Sequence, residues 1–272
     1  MKKGEYILAE FIDGIVKVWN GYGTSFLNGA LNTLIVSLIG TIAGCIIGFG
    51  VGIVQTIPTD RNDPLWKRIV VNAANLILKG YVELFRGTPM IVQSVFIYYG
   101  MRMVFDIHMD IYPAALFIVS INTGAYMAET VRGGILSIDP GQTEGAKAIG
   151  MTHFQTMINV ILPQAFRNII PQIGNNFIIN IKDTSVLSII GFADLFYYHK
   201  SAAGALYLYF QSATITMAIY LVMTVTASAL LRLLETKLDG DDNYDLATTD
   251  TLAYTSGLLS YHPKKKKLED FK

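Results

Sequence analysis

Charge is what this chain has least of. Only 15% of its 272 residues are charged, against 52% hydrophobic, whereas soluble domains run nearer a quarter charged. Between residues 18 and 59 there is no charged side chain at all. With a mean hydropathy of +0.41, these shortages exclude an ordinary soluble domain and point to an integral membrane protein. The formal net charge is zero, which offers no attraction to nucleic acid. Cysteine is nearly absent too: Cys45 stands alone, so no internal disulfide can form. At the N-terminus Glu5, Glu10 and Asp13 interrupt any signal-peptide core after Lys2 and Lys3.

Catalytic patterns are also missing. The histidines, His108, His153, His199 and His262, are scattered without metal-ligand spacing, and no nucleophile has an evident base. No G-x-x-x-x-G-K-[ST] occurs. The chain is therefore expected to hold no catalytic residue, metal or cofactor of its own. Any ATP and Mg must be bound by a partner.

What is present is a succession of apolar runs. Residues 5–19 place Ile7, Leu8, Phe11, Ile12, Ile15, Val16 and Trp19 on one helical face, as in an amphipathic helix at a membrane surface. Five spans are expected, over residues 28–55, 90–105, 112–134, 168–192 and 205–231. The first carries Gly40, Gly44, Gly48 and Gly52 at steps of four, a ribbon on which another helix can approach closely. Residues 70–85 are amphipathic, and Gly87 and Pro89 break that helix before the second span. Glu83 with Arg86, and Glu129 with Arg132, read as ion pairs at the interface.

Five spans put the termini on opposite sides. Arg61, Lys67, Arg68, Lys147, Arg167, Arg232, Lys237 and the lysines 264–267 fall on one side, and Lys2, Lys3, Lys17, Arg102 and Lys200 on the other. The positive-inside bias assigns the first set to the cytoplasm, so the N-terminus is expected outside and the C-terminus inside. The division is an extracytoplasmic amphipathic N-terminus over 1–24, a membrane domain over 25–239, and a polar, disordered cytoplasmic tail over 240–272.

One polar island interrupts the apolar runs, from Asp139 and Pro140 through Glu144 to Gly150 and on to Leu162 and Pro163. Asp139 suits an N-cap, Pro140 a first helical turn and Gly150 a helix end. A second piece, residues 154–162, is expected to stop at Pro163. Two short helices joined at a glycine make a docking knob.

The pattern Glu144-x-Ala146, then Gly150, then Val160-x-Leu162-Pro163, resembles the "EAA loop" of bacterial ABC importer permeases. Gly145 stands where that family usually has alanine. Residues 81–89 and 182–185 resemble the polar-amino-acid branch, and the likeness runs from about 28 to 235. The resemblance implies an all-α membrane protein with the type I ABC importer permease fold, about five transmembrane helices and cytoplasmic coupling helices within 139–163. It implies a bacterial plasma-membrane location, an ABC ATPase dimer docking at Glu144, Gly145, Ala146 and Gly150, an extracytoplasmic amino-acid-binding protein, and a second permease subunit, the same chain or a related one.

Lys182 and Asp183 lie deep in the fourth run, where a charge costs at least ~2.5 kcal/mol. They are turned about 100° apart on a helix, so they cannot pair squarely with each other. An amino-acid zwitterion offers a carboxylate to one and an ammonium to the other. The resemblance places Asn122 and Asn176 in the same pocket. Some arginine-type relatives carry Glu at the position of Asn176, so the amide here implies a neutral side chain such as glutamine's. Two rivals stand beside this reading. An ion-coupled secondary transporter or channel would use Lys182, Asp183 and Glu129 as a relay, and a membrane scaffold would transport nothing.

Overall fold

The computed structural model describes residues 3–60 and 63–238. Met1–Glu235 is one unit and Thr236–Lys272 a second, of which only the start is described. The expected tail, 240–272, lies outside the described residues.

Every described element is helical. Helix α1 (Lys3–Gln55) is followed by α2 (Leu65–Gly87), α3 (Met90–Phe105) and α4 (Ile111–Leu136). Then come the short α5 (Pro140–Ala148) and α6 (His153–Thr156), a π-turn (Met157–Ile161) and α7 (Leu162–Asp183). A 3₁₀ segment (Thr184–Ile190) leads to α8 (Leu195–Leu206) and α9 (Tyr209–Leu238). Among the described residues three helices are long and apolar enough to cross a membrane: Gly4–Gln55, Ile111–Leu136 and Tyr209–Leu234. Met90–Phe105 is apolar but shorter.

The amphipathic segment and first span expected from the sequence are one uninterrupted helix. No proline occurs before Pro58, and no break marks residue 24. At 1.5 Å per residue, α1 extends about 80 Å. The face it turns inward is not the apolar face read from residues 5–19. Ile7, Leu8, Ile12, Val16 and Trp19 are exposed, while Val18 and Phe26 are buried against Leu195, Ala202 and Ile215. Phe11 also meets Phe210, their rings 5.2 Å apart.

Helix α4 is the axle. Ala114, Ala115, Ile118, Val119, Met127 and Val131 are fully buried, as befits a central helix, with Glu129 and Arg132 toward its C-terminal end. Helix α1 lies along it on the glycine ribbon. A Cβ on Gly40 would fall 2.5 Å from Val119, on Gly44 2.6 Å from Thr123, and on Gly52 2.8 Å from Val131. One on Gly48 would meet Met127. Each glycine accepts the α4 side chain one turn further along, which is how small residues bring two membrane helices together.

The second piece of the island does not stop at Pro163. The backbone widens to a π-turn over Met157–Ile161 and continues as α7, with Pro163 in the first turn of that helix. Proline has no N–H to give an i→i−4 bond, and the wider turn accommodates the missing donor and the ring.

Candidate functional site

Helix α7 brings its amides to the bundle one turn at a time. Asn180, only 4% exposed, donates from Nδ2 to Thr41 Oγ1 (2.8 Å) and to Thr123 Oγ1 (2.9 Å). It ties α7 to α1 and α4 at once. A buried amide left unpaired is costly, so this bond set fixes the helix's rotation. Asn176, half-buried one turn earlier, donates to Gln172 O at 3.0 Å and touches Met127 Sδ at 3.4 Å.

Lys182 and Asp183 occupy the last turn of α7, and both are exposed. Neither side chain makes a hydrogen bond or ion pair with another described residue. Lys182 opens onto a cleft of about 380 Å³ with Ser185, Phe196, His199, Thr216 and Tyr220. A point-charge ammonium beside hydroxyls and an aromatic ring can take a carboxylate. Asp183, Asn122 and Asn176 do not line that cleft. The four residues singled out in the sequence are thus not gathered in one cavity within this single chain.

Asn122 has other business. Its Nδ2 donates to Gln93 Oε1 at 2.8 Å and reaches Phe85 O at 3.3 Å. Gln93 in turn donates from Nε2 to Phe85 O (2.9 Å) and to Thr88 O (2.8 Å), satisfying carbonyls that the end of α2 leaves open at the Thr88-Pro89 joint. The joint where Gly87 and Pro89 break the helix is therefore braced by two buried amides. Gln93 was not foreseen; a lone amide three residues after a helix-opening Met90 in an apolar run was its signal. Asp194 was also missed. It is fully buried, and its carboxylate caps α8 by accepting from Tyr197 N (2.8 Å) and Phe196 N (3.2 Å).

Of the two expected ion pairs, Glu129 with Arg132 is present, but Glu83 does not pair with Arg86. Instead Arg86 reaches across from α2 to Glu129 Oε2 on α4 (3.4 Å), and Arg132 holds Glu129 Oε1 (3.1 Å). The helical rise puts residues 83 and 86 on one face of α2, where the facing carboxylate of α4 competes for the guanidinium.

The island folds into the knob its sequence requires. Asp139 caps α5, accepting from Gly141 N at 2.7 Å, with Pro140 in the first turn. At the other end Met151 N bonds Ala146 O (3.1 Å) and Gly150 N bonds Lys147 O (2.9 Å), a Schellman closure with Gly150 at φ +84°. Thr152 and Gln155 form a reciprocal capping box that starts α6. Glu144, Gly145 and Gly150 are on the outside, while Ala146, 6% exposed, faces inward and seats α5. Ile149 and Phe154 stand 79% and 71% exposed beside them, two large apolar side chains at the tip that the spacing argument overlooked.

His153 lies at the base of the knob with Thr56, Pro58, Glu144 and Lys147 around one cavity. Burial first, then the charges of Lys147 and Lys67, push its imidazole below its ordinary 6.5. The unfolded chain takes up this proton before the folded one, so stability falls as pH drops through about 6.5 and levels off below the folded value. Replacing His153 by Gln should flatten that part of the curve, read as Tm of the detergent-solubilised protein between pH 7.5 and 5. An unchanged slope would remove His153 from the account.

Known proteins resemble this chain over most of its length. Residues 70–240 match the family described as "binding-protein-dependent transport system inner membrane component". The chain is 35% identical over 213 residues to the glutamine transport system permease protein GlnP of Escherichia coli K12, covering 78% of this chain and 92% of that one. It is 32% identical over 216 residues to the arginine transport system permease protein ArtQ of Bacillus subtilis 168, covering 79% and 93%. Among solved structures, an amino acid ABC transporter crystallised with histidines superposes with a TM-score of 0.70 at 36% identity, over 80% of this chain and 95% of that one. The inward-facing MetNI methionine ABC transporter superposes at 0.59 with 17% identity, a likeness of fold alone. A helical, multi-pass chain with this knob and this extent of likeness belongs to the inner-membrane permease family of binding-protein-dependent ABC transport systems.

Proposed function

We propose that the chain is the membrane-spanning subunit of an ATP-driven importer for polar amino acids, with glutamine as the favoured substrate. The observation that carries this reading is the knob: two capped helices leaving the end of α4, with Glu144, Gly145, Ile149 and Phe154 turned outward. It has the form of a surface for an ATPase subunit. The names of the relatives, glutamine and arginine transport permeases, support the substrate class.

In this reading five spans form the path: α1, α3 continued from α2, α4, α7 with its 3₁₀ extension, and α9. The positive-inside bias keeps the N-terminus outside and the knob in the cytoplasm. A second permease subunit completes the path, and two ATPase subunits bind ATP and Mg beneath. A separate extracytoplasmic protein delivers the amino acid. Closure of the ATPase dimer draws the two knobs together, and the rigid α4–α7 connection carries that movement to the spans. Lys182 receives the substrate carboxylate in its cleft, and Asp183 meets the ammonium where the subunits or the moving helices bring it into reach.

Uptake of radiolabelled glutamine into proteoliposomes holding the chain, its ATPase and a binding protein tests the assignment. Uptake should require ATP. Lys182→Ala and Asp183→Ala should each lower it about 10- to 100-fold, the loss of one charge-assisted bond of about 1.5–3 kcal/mol. Uptake that runs on an ion gradient without ATP would sink the importer reading, and unchanged rates in both variants would remove the two residues from the pocket.

A further inference from the structure

A second charged cavity lies away from Lys182, at the end of α1 and α4 from which the knob departs. It measures about 470 Å³, within the range of small-molecule sites, and is lined by Asn75, Lys79, Glu83, Arg86, Glu129 and Arg132. Its geometry follows from helical spacing. Residues 75, 79, 83 and 86 form one stripe down α2, and 129 and 132 are one turn apart on α4. Tyr81 fixes the two helices together, donating to Ile121 O at 2.6 Å.

The charges do not cancel. Three cations face two carboxylates. Glu129 spends one oxygen on each guanidinium, at 3.1 Å to Arg132 and 3.4 Å to Arg86, so neither arginine has a bidentate partner. A guanidinium fork that is only singly engaged retains donors for a second carboxylate. Their side chains are 41% and 40% exposed, within reach of a ligand from solvent. Opposite charge has its counterpart: Glu83 makes no ion pair with a described residue. The amide oxygen of Asn75 is shielded from solvent and accepts no hydrogen bond. A buried acceptor left open is a standing cost, and turning that amide toward the cavity lets a ligand N–H relieve it.

We propose that this cavity binds the head group of an α-amino acid, its carboxylate between Arg86 and Arg132 and its ammonium at Glu83 and Asn75. The surplus positive charge favours neutral or acidic side chains over basic ones. The site rests on the importer reading, in which it lies at the inner end of the path and holds the amino acid after it has left the Lys182 cleft.

The test is equilibrium binding of radiolabelled L-glutamine to the full chain purified with its ATPase, in a Lys182→Ala background so that the two sites are not confused. Glutaramate, which is glutamine without the α-ammonium, serves as second probe. Arg132→Gln should weaken both ligands at least tenfold. Glu83→Gln should weaken glutamine at least tenfold and leave glutaramate unaffected. Co-purification of the ATPase reports folding, and Arg132→Lys, which keeps the charge but loses the fork, should fall between. Absence of glutamine binding in the Lys182→Ala background, or binding indifferent to both substitutions, overturns the site. ATP-driven uptake by the unsubstituted chain, with Lys182 in place, measured in parallel separates the two failures. Intact uptake with indifferent binding removes this cavity alone, whereas no ATP-driven uptake by the unsubstituted chain removes the importer reading beneath it.

Discussion

Replacing Gly48 by leucine should leave almost no folded protein, while the same change at Gly50, two residues away, should be tolerated. At Gly48 a Cβ already meets Met127, and the Met127 carbonyl carbon lies only 2.8 Å away. Backbone cannot swing aside as a flexible side chain can. The remaining carbons of leucine would have to force α1 off α4 along the whole ribbon, because the neighbouring contacts at Gly44 and Gly52 are equally tight. Overpacking of a close core costs about 1–3 kcal/mol where repacking is possible. Here the loss of the paired-helix contacts should take the effect beyond about 3 kcal/mol. At Gly50 nothing lies within 4 Å of the Cβ, and leucine has the better helix propensity by about 0.8 kcal/mol. The measurement is the fraction of monodisperse protein in detergent and its Tm for both variants. Equal behaviour of the two would show that α1 and α4 do not pack on the ribbon.

That ribbon was legible because it is a one-helix pattern with a fixed period. The knob was legible for a similar reason. Asp139, Pro140 and Gly150 act on their own backbone within a few residues, so their order in the chain is their structure. What escaped the sequence depends on neighbours far along it. Nothing around Asn122 announces that Gln93 and Phe85 will occupy its amide, 29 and 37 residues away. The same holds for Glu129 drawing Arg86 across from α2. The helical continuation through Pro163 escaped for a different reason, since a π-turn has no composition of its own. Lys182 and Asp183 stood out as an anomaly of charge in an apolar run, but which distant helices would face them did not, since Phe196, His199, Thr216 and Tyr220 come to the Lys182 cleft from elsewhere in the chain.

Glu144→Lys should abolish ATP-driven uptake, by at least 100-fold, in protein that is as stable as the parent. The side chain of Glu144 is exposed on α5 and makes no ion pair or hydrogen bond with a described residue. Its substitution therefore removes no internal contact, and surface changes of this kind stay within about 0.5 kcal/mol of the parent. The knob itself is held by other residues: the Asp139 cap, the Gly150 closure and the inward seat of Ala146. A stability effect and a coupling effect are therefore separable at this position. Tm and the elution profile of the isolated chain report the first, and ATPase co-purification and uptake report the second. The expected result is an unchanged Tm together with lost ATPase capture, because a reversed charge at the centre of a buried contact is unpaired and must still be desolvated. Ile149→Asp, at the apolar tip, should give the same pair of results through loss of burial alone. Normal uptake in both variants would mean that force enters the spans elsewhere, and that the knob is an ordinary polar connection.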